Sequence, residues 1–363
     1  MGRSDQLLAV RETRAIAPSP KRRRRNVAAV TPEVLERGKR LIDPALRAAV
    51  ATLDENLMLR ASYHLGWTDE HGAPATTGSG KGMRGALAVL GAEAVGSTAE
   101  AALDGAVALE LIHNFSLIHD DIMDNDRVRR HRRTVWDVFG VGDAIVVGDA
   151  LHALAFQVLL QEDVTPRSMA ATARLAKATS AMIAGQAQDV ALDGRDTATL
   201  DDCLTMEANK TGALLAQSVA IGGVLGGGDD PTVEALERYG ASMGLAFQAV
   251  DDVLGIWGDP ARTGKPVGND LREQKKSMPI AVAFDRGGEI AAMVSTAFAH
   301  ELSEQQITDL SAELESAGIR TEVEAIADHH LAAAIAALEE VTLTETAKVE
   351  LAELARFVAT RQT

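Results

Sequence analysis

The sequence predicts an all-α protein whose body is one large helical domain. Three observations lead there. Aromatic residues make up only 3% of the chain and Ala is abundant, which favours helices packed through small side chains over a sandwich of aromatic and β-branched strands. Helix start and stop signals recur along the body. Alternating strands of convincing length are absent. The 363 residues, 46% hydrophobic, are ample for a sizeable core. Length alone suggests two domains, but no linker divides the body.

Taken in order, residues 1–30 read as a disordered basic tail with Pro18, Pro20 and the run Lys21 to Arg25. The helical domain then spans 31–363. Thr31-Pro32-Glu33 combines an N-cap, a first-turn Pro and an early acid. Residues 68–82, rich in Gly and Thr, form a loop. Thr165-Pro166 and Asp230-Pro231 repeat the start signal. Gly226-Gly227-Gly228 ends a helix, and Gly240 marks a boundary or a close packing point. Residues 286–363 read as amphipathic helices that complete the bundle. No repeat of 20–50 residues is present.

The net charge is −16. The first 25 residues hold eight basic and two acidic side chains, so the remainder carries −22. Such a body is a poor nucleic-acid binder. An enzyme for anionic substrates would need local basic groups and bound cations against that field. The one cysteine, Cys203, cannot form an internal disulfide, which fits a reducing cytoplasm and excludes a Cys-based zinc site. No apolar run reads as a transmembrane segment. The best candidate, Ala144 to Leu160, is interrupted by Asp149 and His152.

Two acidic clusters carry the chemistry. In Asp120-Asp121-Ile122-Met123-Asp124 the first and last acids are four apart, so on a helix they share a face. Uncompensated, that pairing opposes the helix, but a divalent cation between the acids reverses the sign. Magnesium takes hard oxygen ligands and is commonly held by one or two carboxylates plus substrate phosphates. Arg129, Arg130, Arg132 and Arg133 follow, and guanidinium forks match phosphate oxygens. The second cluster is Gln248, Asp251 and Asp252, then Asp259, Lys265, Asp270, Lys275 and Lys276. Gln248 lies three and four residues before its acids, so one helix face offers an amide and two carboxylates. The competing reading of the first cluster is a solvated acidic face, and of the second an ordinary helix end with a charged loop.

The segments HNFSLIHDDIMDNDRVRRHRRTVW and GLAFQAVDDVLGIWGDPARTGKPVGNDLREQKKSMP resemble the two Asp-rich motifs of the polyprenyl synthetase family, the isoprenyl diphosphate synthases. Gly80-Lys81-Gly82-Met83-Arg84 resembles the family's Gly-Lys-x-x-Arg segment. MEANKTGALL supplies Lys210 and Thr211, and GQAQD supplies Gln186 and Asp189. The five segments, in the expected order over residues 35–360, look most like actinobacterial short-chain geranylgeranyl or farnesyl diphosphate synthases.

The resemblance implies helices around a deep central cavity (the isoprenoid synthase fold), a homodimer, and magnesium, typically three ions per site. It implies that Asp120 and Asp124 hold metal from one wall and Asp251 from the other, with Asp121 and Asp252 in support. Arg129 and Lys265 would grip an allylic diphosphate, and Lys81, Arg84, His113 and Arg130 isopentenyl diphosphate. Lys210, Thr211 and Gln248 would lie beside the cation that forms. His113, Asp120 and Asp124 fall within about 20° on an ideal helical wheel.

Four positions depart from the family's pattern. Gly82 replaces a frequent Arg, Gly85 a frequent Pro and Arg133 a common Pro, while Gly255 takes the third acid's place in the second motif. Phe115 and Ser116, five and four residues before Asp120, fall where bulk sets product length in this family. An aromatic there without an insertion implies the C20 product geranylgeranyl diphosphate, with C15 farnesyl diphosphate as the competitor. A class I terpene cyclase and a non-catalytic regulatory subunit are the rivals. Lys81, Arg84, His113 and the Asp251-Asp252 pair weigh against the first, and the intact acidic pairs against the second. His119, Cys203, Met182, Met206 and Met243 read as packing residues, and Arg361 as a weak candidate for closing over the site.

Overall fold

The computed structural model describes residues 32–75, 80, 82–161, 164–259 and 267–359. Lys81, Lys265, Arg361 and the basic tail lie outside them.

At the centre is α9 (Ala213–Gly226), in which every residue from Leu214 to Gly223 is buried. A helix apolar on all sides must be an interior helix. It packs against α3 (Met83–Ala94), α10 (Asp230–Trp257) and α7 (Pro166–Asp193). The approach is close enough that a Cβ at Gly222 would overlap the Ala88 carbonyl, and one at Gly240 would stand 2.6 Å from that of Leu215. Gly240 is therefore a packing point inside α10, not a boundary.

Around this centre lie α1 (Glu33–Val50), α2 (Glu55–His64), α4 (Leu103–Met123), α5 (Val135–Phe139), α6 (Val141–Leu159) and α8 (Leu200–Glu207). α4 packs chiefly on α6, and α10 on α15 (Ile319–Glu339). The remaining helices are α11 (Asn269–Arg272), α12 (Met278–Arg286), α13 (Gly288–Ala297), α14 (Glu304–Ser316) and α16 (Glu345–Ala359). As expected, the C-terminal segments complete the bundle. Tyr239 on α10 is fully buried, and its hydroxyl donates to the Leu351 carbonyl of α16 (2.8 Å).

The punctuation signals hold with small shifts. Thr165 caps α7 through a reciprocal capping box with Ser168, and Pro166 is its first residue. α9 stops at Gly226, with Gly227 left-handed at φ 88°. Pro32, not Thr31, stands at the cap position of α1. Asp229, not Asp230, caps α10 by accepting from the Thr232 N–H (3.0 Å).

Two stretches, Ala99–Met123 and Val141–Leu159, have the length and hydropathy of a membrane span. The apolar window of the first is 67% buried within the protein. The second, α6, includes Asp149 and His152.

The described strands are two two-residue pieces, β1 (Val128–Arg129) and β2 (Arg132–Arg133). Their turn, Arg130-His131, has both residues at positive φ (51° and 63°). Positive φ at both central residues is the backbone that a two-residue hairpin favours, although non-glycine residues are uncommon there. Tertiary contacts pin it: the Tyr63 hydroxyl donates to the Arg133 carbonyl (2.7 Å), and Arg132 donates to the Tyr63 and Thr68 carbonyls.

Candidate active site

The first acidic cluster forms the C-terminal turn of α4, which the Asp124 N–H closes on the Asp120 carbonyl (2.8 Å). A helix C-terminus carries partial negative charge, so carboxylates are least welcome there. Burial pushes the Asp120 carboxyl up to about 6; Lys210 opposes that rise and Asp124 adds to it. Burial also raises Asp124, opposed by Lys210 and Lys275. Asp121 is almost wholly buried and bonded by the Arg129 Nε (2.5 Å), yet burial still holds it at about 6. Asp120 and Asp124 thus form an anionic face short of positive charge, whereas Asp121 and Arg129 neutralise each other.

Across from this face lies an irregular turn. Between α8 and α9 the backbone winds as a π-helix over Ala208–Gly212, a device frequent at functional sites. It presents Lys210, whose Nζ sits 2.5 Å from Asp189 of α7. Thr211 follows, its hydroxyl donating to the Gln248 amide oxygen of α10 (3.2 Å). A Cβ on Gly185 of α7 would overlap the Lys210 backbone, so that glycine lets the turn seat closely.

The second cluster divides. Asp251 is exposed, but Asp252 is buried, accepting from the Gln248 Nε2 (2.9 Å) and the Met278 N–H (2.7 Å). Adjacent helical residues point about 100° apart, so only one acid of this pair is left for a ligand-facing role. Lys275 lies within electrostatic reach of both Asp124 and Asp270, bringing the flank of the second motif to the first.

A basic region adjoins the acidic face. Arg84, half-buried at the start of α3, is lowered to about 10 by desolvation, and His113 on α4 is held well below its usual range by desolvation and by Arg84, Arg130 and Arg129. A neutral His113 is a hydrogen-bonding group, not a charge. Arg130, at the hairpin turn, packs its guanidinium against Gly80.

Three of the four departures have local causes. Gly82 is left-handed, at φ 61°, where Arg would be strained. The Gly85 N–H donates to the buried Glu110 carboxylate (2.9 Å), a bond Pro cannot make. A Cβ at position 255 would overlap the Asp270 carboxylate. Arg133 pairs with Asp137 through its Nε (2.6 Å).

Phe115 is buried between α4 and α6, its ring 5.0 Å from both His119 and His152, and His152 in turn meets Phe156. The Ser116 hydroxyl donates to the His113 carbonyl (2.9 Å). His119 lies over Gly148 with its Nε2 3.1 Å from the Ile145 carbonyl, in keeping with a packing role. Cys203 and the three methionines are buried.

Sequence reasoning passes over Glu110, Glu207 and the His64–Asn114 pair (3.1 Å). Glu110 is legible in principle, since it lies one helical turn before His113 on an apolar helix. Glu207 and His64 give no spacing signal. The Asp120 and Asp124 donor set, hard oxygens made reluctant to ionise by burial, fits a divalent magnesium ion.

A family profile for polyprenyl synthetase matches residues 67–314. The chain is 41% identical over 334 residues to the (2E,6E)-farnesyl diphosphate synthase of Mycobacterium tuberculosis, covering 91% of this chain and 93% of that one. It is 40% identical over 309 residues to a geranylgeranyl diphosphate synthase of the same species, covering 85% and 88%. The crystal structure of a polyprenyl synthetase from Streptomyces coelicolor superposes with a TM-score of 0.86 at 47% identity, over 90% of this chain and 99% of that one.

Proposed function

The chain belongs to the polyprenyl synthetase family, and from that premise we propose that it condenses isopentenyl diphosphate with an allylic diphosphate, head to tail, to give geranylgeranyl diphosphate. The observation that carries the reading is the acidic face of half-buried Asp120 and exposed Asp124 set within reach of Lys210 and Lys275.

In this reading Asp120, Asp124 and Asp251 hold magnesium. An ion held by these residues would supply positive charge to the diphosphate leaving group. Arg129 leaves Asp121 to share that charge, a role expected of Lys265 as well. Arg84, His113, Arg130 and Lys81 hold isopentenyl diphosphate, so that its double bond faces the allylic carbon. Lys210 and Thr211 on the π turn and Gln248 on α10 stabilise developing charge in place. Preorganised dipoles of this kind are commonly the largest catalytic contribution. Asp252, buried and bonded, supports Gln248 and is no direct ligand. Released diphosphate is the base for the final proton. The apolar walls keep water from the cation.

Phe115, with Ser116 beside it, forms the floor that stops the product at C20. Its contact with His152, which in turn meets Phe156, makes the floor a wall shared by α4 and α6. Farnesyl diphosphate is the second reading, and the 41% and 40% identities to synthases of both names favour neither. The exposed apolar side chains Val141, Ile145 and Val146 of α6, with Met169, Ile183 and Val190 of α7, support a homodimer. A reduced, buried Cys203 accords with a cytoplasmic enzyme. Residues 31–363 are the catalytic domain and 1–30 a separate tail.

Purified protein, magnesium, labelled isopentenyl diphosphate and each allylic primer, with mass spectrometry of the product, test this. Incorporation without a partner protein and a C20 product are expected. A cyclised hydrocarbon, or no incorporation with any primer, would overturn it.

A further inference from the structure

Behind the second acidic motif lies a buried cluster that the reaction above does not use. Glu207 is the last residue of α8 and immediately precedes the π turn that carries Lys210 and Thr211. Its side chain points inward and is 3% exposed. It meets the Cys203 thiol at 3.5 Å and the Asp252 carboxyl of α10. The three side chains bring ligand-type atoms within 4.8 Å of one another. That grouping is not a metal site, because both Asp252 oxygens are already bonded, to the Gln248 amide and the Met278 N–H.

Asp252 accepts two N–H bonds, one on each carboxyl oxygen, and the buried Glu207 lies beside it. With Asp252 held as an acceptor, the amide of Gln248 has one orientation: its Nε2 turns to Asp252, and its oxygen is left to accept from the Thr211 hydroxyl (3.2 Å). The chain of contacts closes on itself, because Thr211 is four residues from Glu207 along the same backbone.

We propose that Glu207 is a positioning residue. It clamps Asp252 from behind, and through Asp252 and Gln248 it fixes the face of the π turn that stabilises the reacting charge. This rests on the prenyltransferase reading, in which Thr211 and Gln248 act on that charge.

Two variants test it. Glu207→Gln keeps the shape and a polar group beside Asp252. Glu207→Leu keeps the volume and removes the polar group. Small misplacements at a reacting centre cost up to about a hundredfold. Glu207→Leu is therefore expected to lower kcat by about ten- to a hundredfold, with KM for isopentenyl diphosphate unchanged, since Arg84, His113 and Arg130 are untouched. Glu207→Gln should restore kcat to within about threefold of the parent. Equal loss in both variants would show that the charge of Glu207 is what matters, and unchanged kcat in the Leu variant would show that the clamp does nothing; either overturns the proposal. A crystal structure of the Leu variant tests the clamp independently of turnover. Gln248 should leave Thr211, and a retained Asp252–Gln248–Thr211 relay overturns the clamp. An inactive parent protein would instead count against the prenyltransferase reading.

Discussion

The carboxylate of Asp270, carried by α11, fills the space that a side chain at Gly255 of α10 would occupy. The third acid that the second motif lacks is thus replaced in space by one fifteen residues further along. Asp270 is buried there, and Lys275 lies within electrostatic reach. Restoring the usual residue should therefore hurt. Gly255→Asp gains at most about 1 kcal/mol of helix propensity. Against this stand about 1–3 kcal/mol of overpacking and a second carboxylate in a buried acidic spot. A net loss of stability is expected, seen as a lower midpoint in urea unfolding with unchanged slope. A variant as stable as the parent would mean that Asp270 swings away freely.

The same logic applies to Gly85→Pro. The position is the third residue of α3, so no intrahelical bond is lost. What is lost is the N–H that satisfies Glu110, 8% exposed between α3 and α4. An acceptor stranded in the interior costs about 1–3 kcal/mol. The ring would also press on Ile42, already 2.6 Å from an ideal Cβ. Gly85→Pro with Glu110→Leu should recover part of the loss, and a double-mutant cycle without coupling would refute the link.

What the sequence makes legible follows from what spacing encodes. Spacing on one helix is faithful, so α4 can be read directly: His113, Asp120 and Asp124 lie along it and its capping turn, and Phe115 is buried on it. Caps are legible to within one residue because Pro occupies either of the first two helical positions, as at Pro166 and Pro231. Spacing fails where the partner comes from elsewhere. Gln248, Asp251 and Asp252 look like one face, but the Met278 N–H and Glu207 draw Asp252 inward, and neither is encoded near residue 252. The Arg130-His131 turn is hidden because neither residue is a glycine, and tertiary bonds to Tyr63 and Thr68 hold it.

Magnesium should stabilise the protein in a pH-dependent way. Asp120 and Asp121 are raised to about 6, above the usual aspartate range, chiefly by burial. A raised acid favours the folded state while it stays protonated, and that contribution is lost as pH climbs through about 6. The metal-free protein therefore loses this increment between about pH 4 and 7, and magnesium, which binds the ionised form, returns it. The rise in Tm on adding magnesium should be small at pH 5 and larger at pH 7.5, reaching about 2.7 kcal/mol of stabilisation at a hundredfold excess over Kd. Asp120→Asn should abolish most of the pH-dependent difference. An equal rise at both pH values would place the ion away from these carboxylates.

Removing Asp251 tests whether the second wall takes part. Asp251→Asn changes one exposed side chain by a single atom, so its effect on stability should stay within about 0.5 kcal/mol. Loss of one preorganised electrostatic group typically costs about a hundred- to a thousandfold in kcat. Asp252→Asn should behave in the opposite way. Its carboxylate holds buried bonds from Gln248 and Met278, so it should lower the unfolding midpoint more than Asp251→Asn does. Single-turnover rates and urea unfolding on both variants separate the two roles, and equal behaviour would contradict the division.

Phe115 is the test of product length. Its ring meets His119 on its own helix and His152 across on α6, so truncation opens space between two long helices. Phe115→Ala would cost about 3–5 kcal/mol if the site were closed and dry core, because the cavity would stay empty. If the ring is instead the floor beneath a growing chain, the same space is filled by substrate. Phe115→Ala should then yield products longer than those of the parent, and binding a longer allylic diphosphate should recover part of the lost stability. Chromatography of the dephosphorylated products reads the first effect and a thermal shift with the longer ligand reads the second. Unchanged chain length together with a full cavity penalty would return Phe115 to ordinary core packing and leave the length limit to other residues.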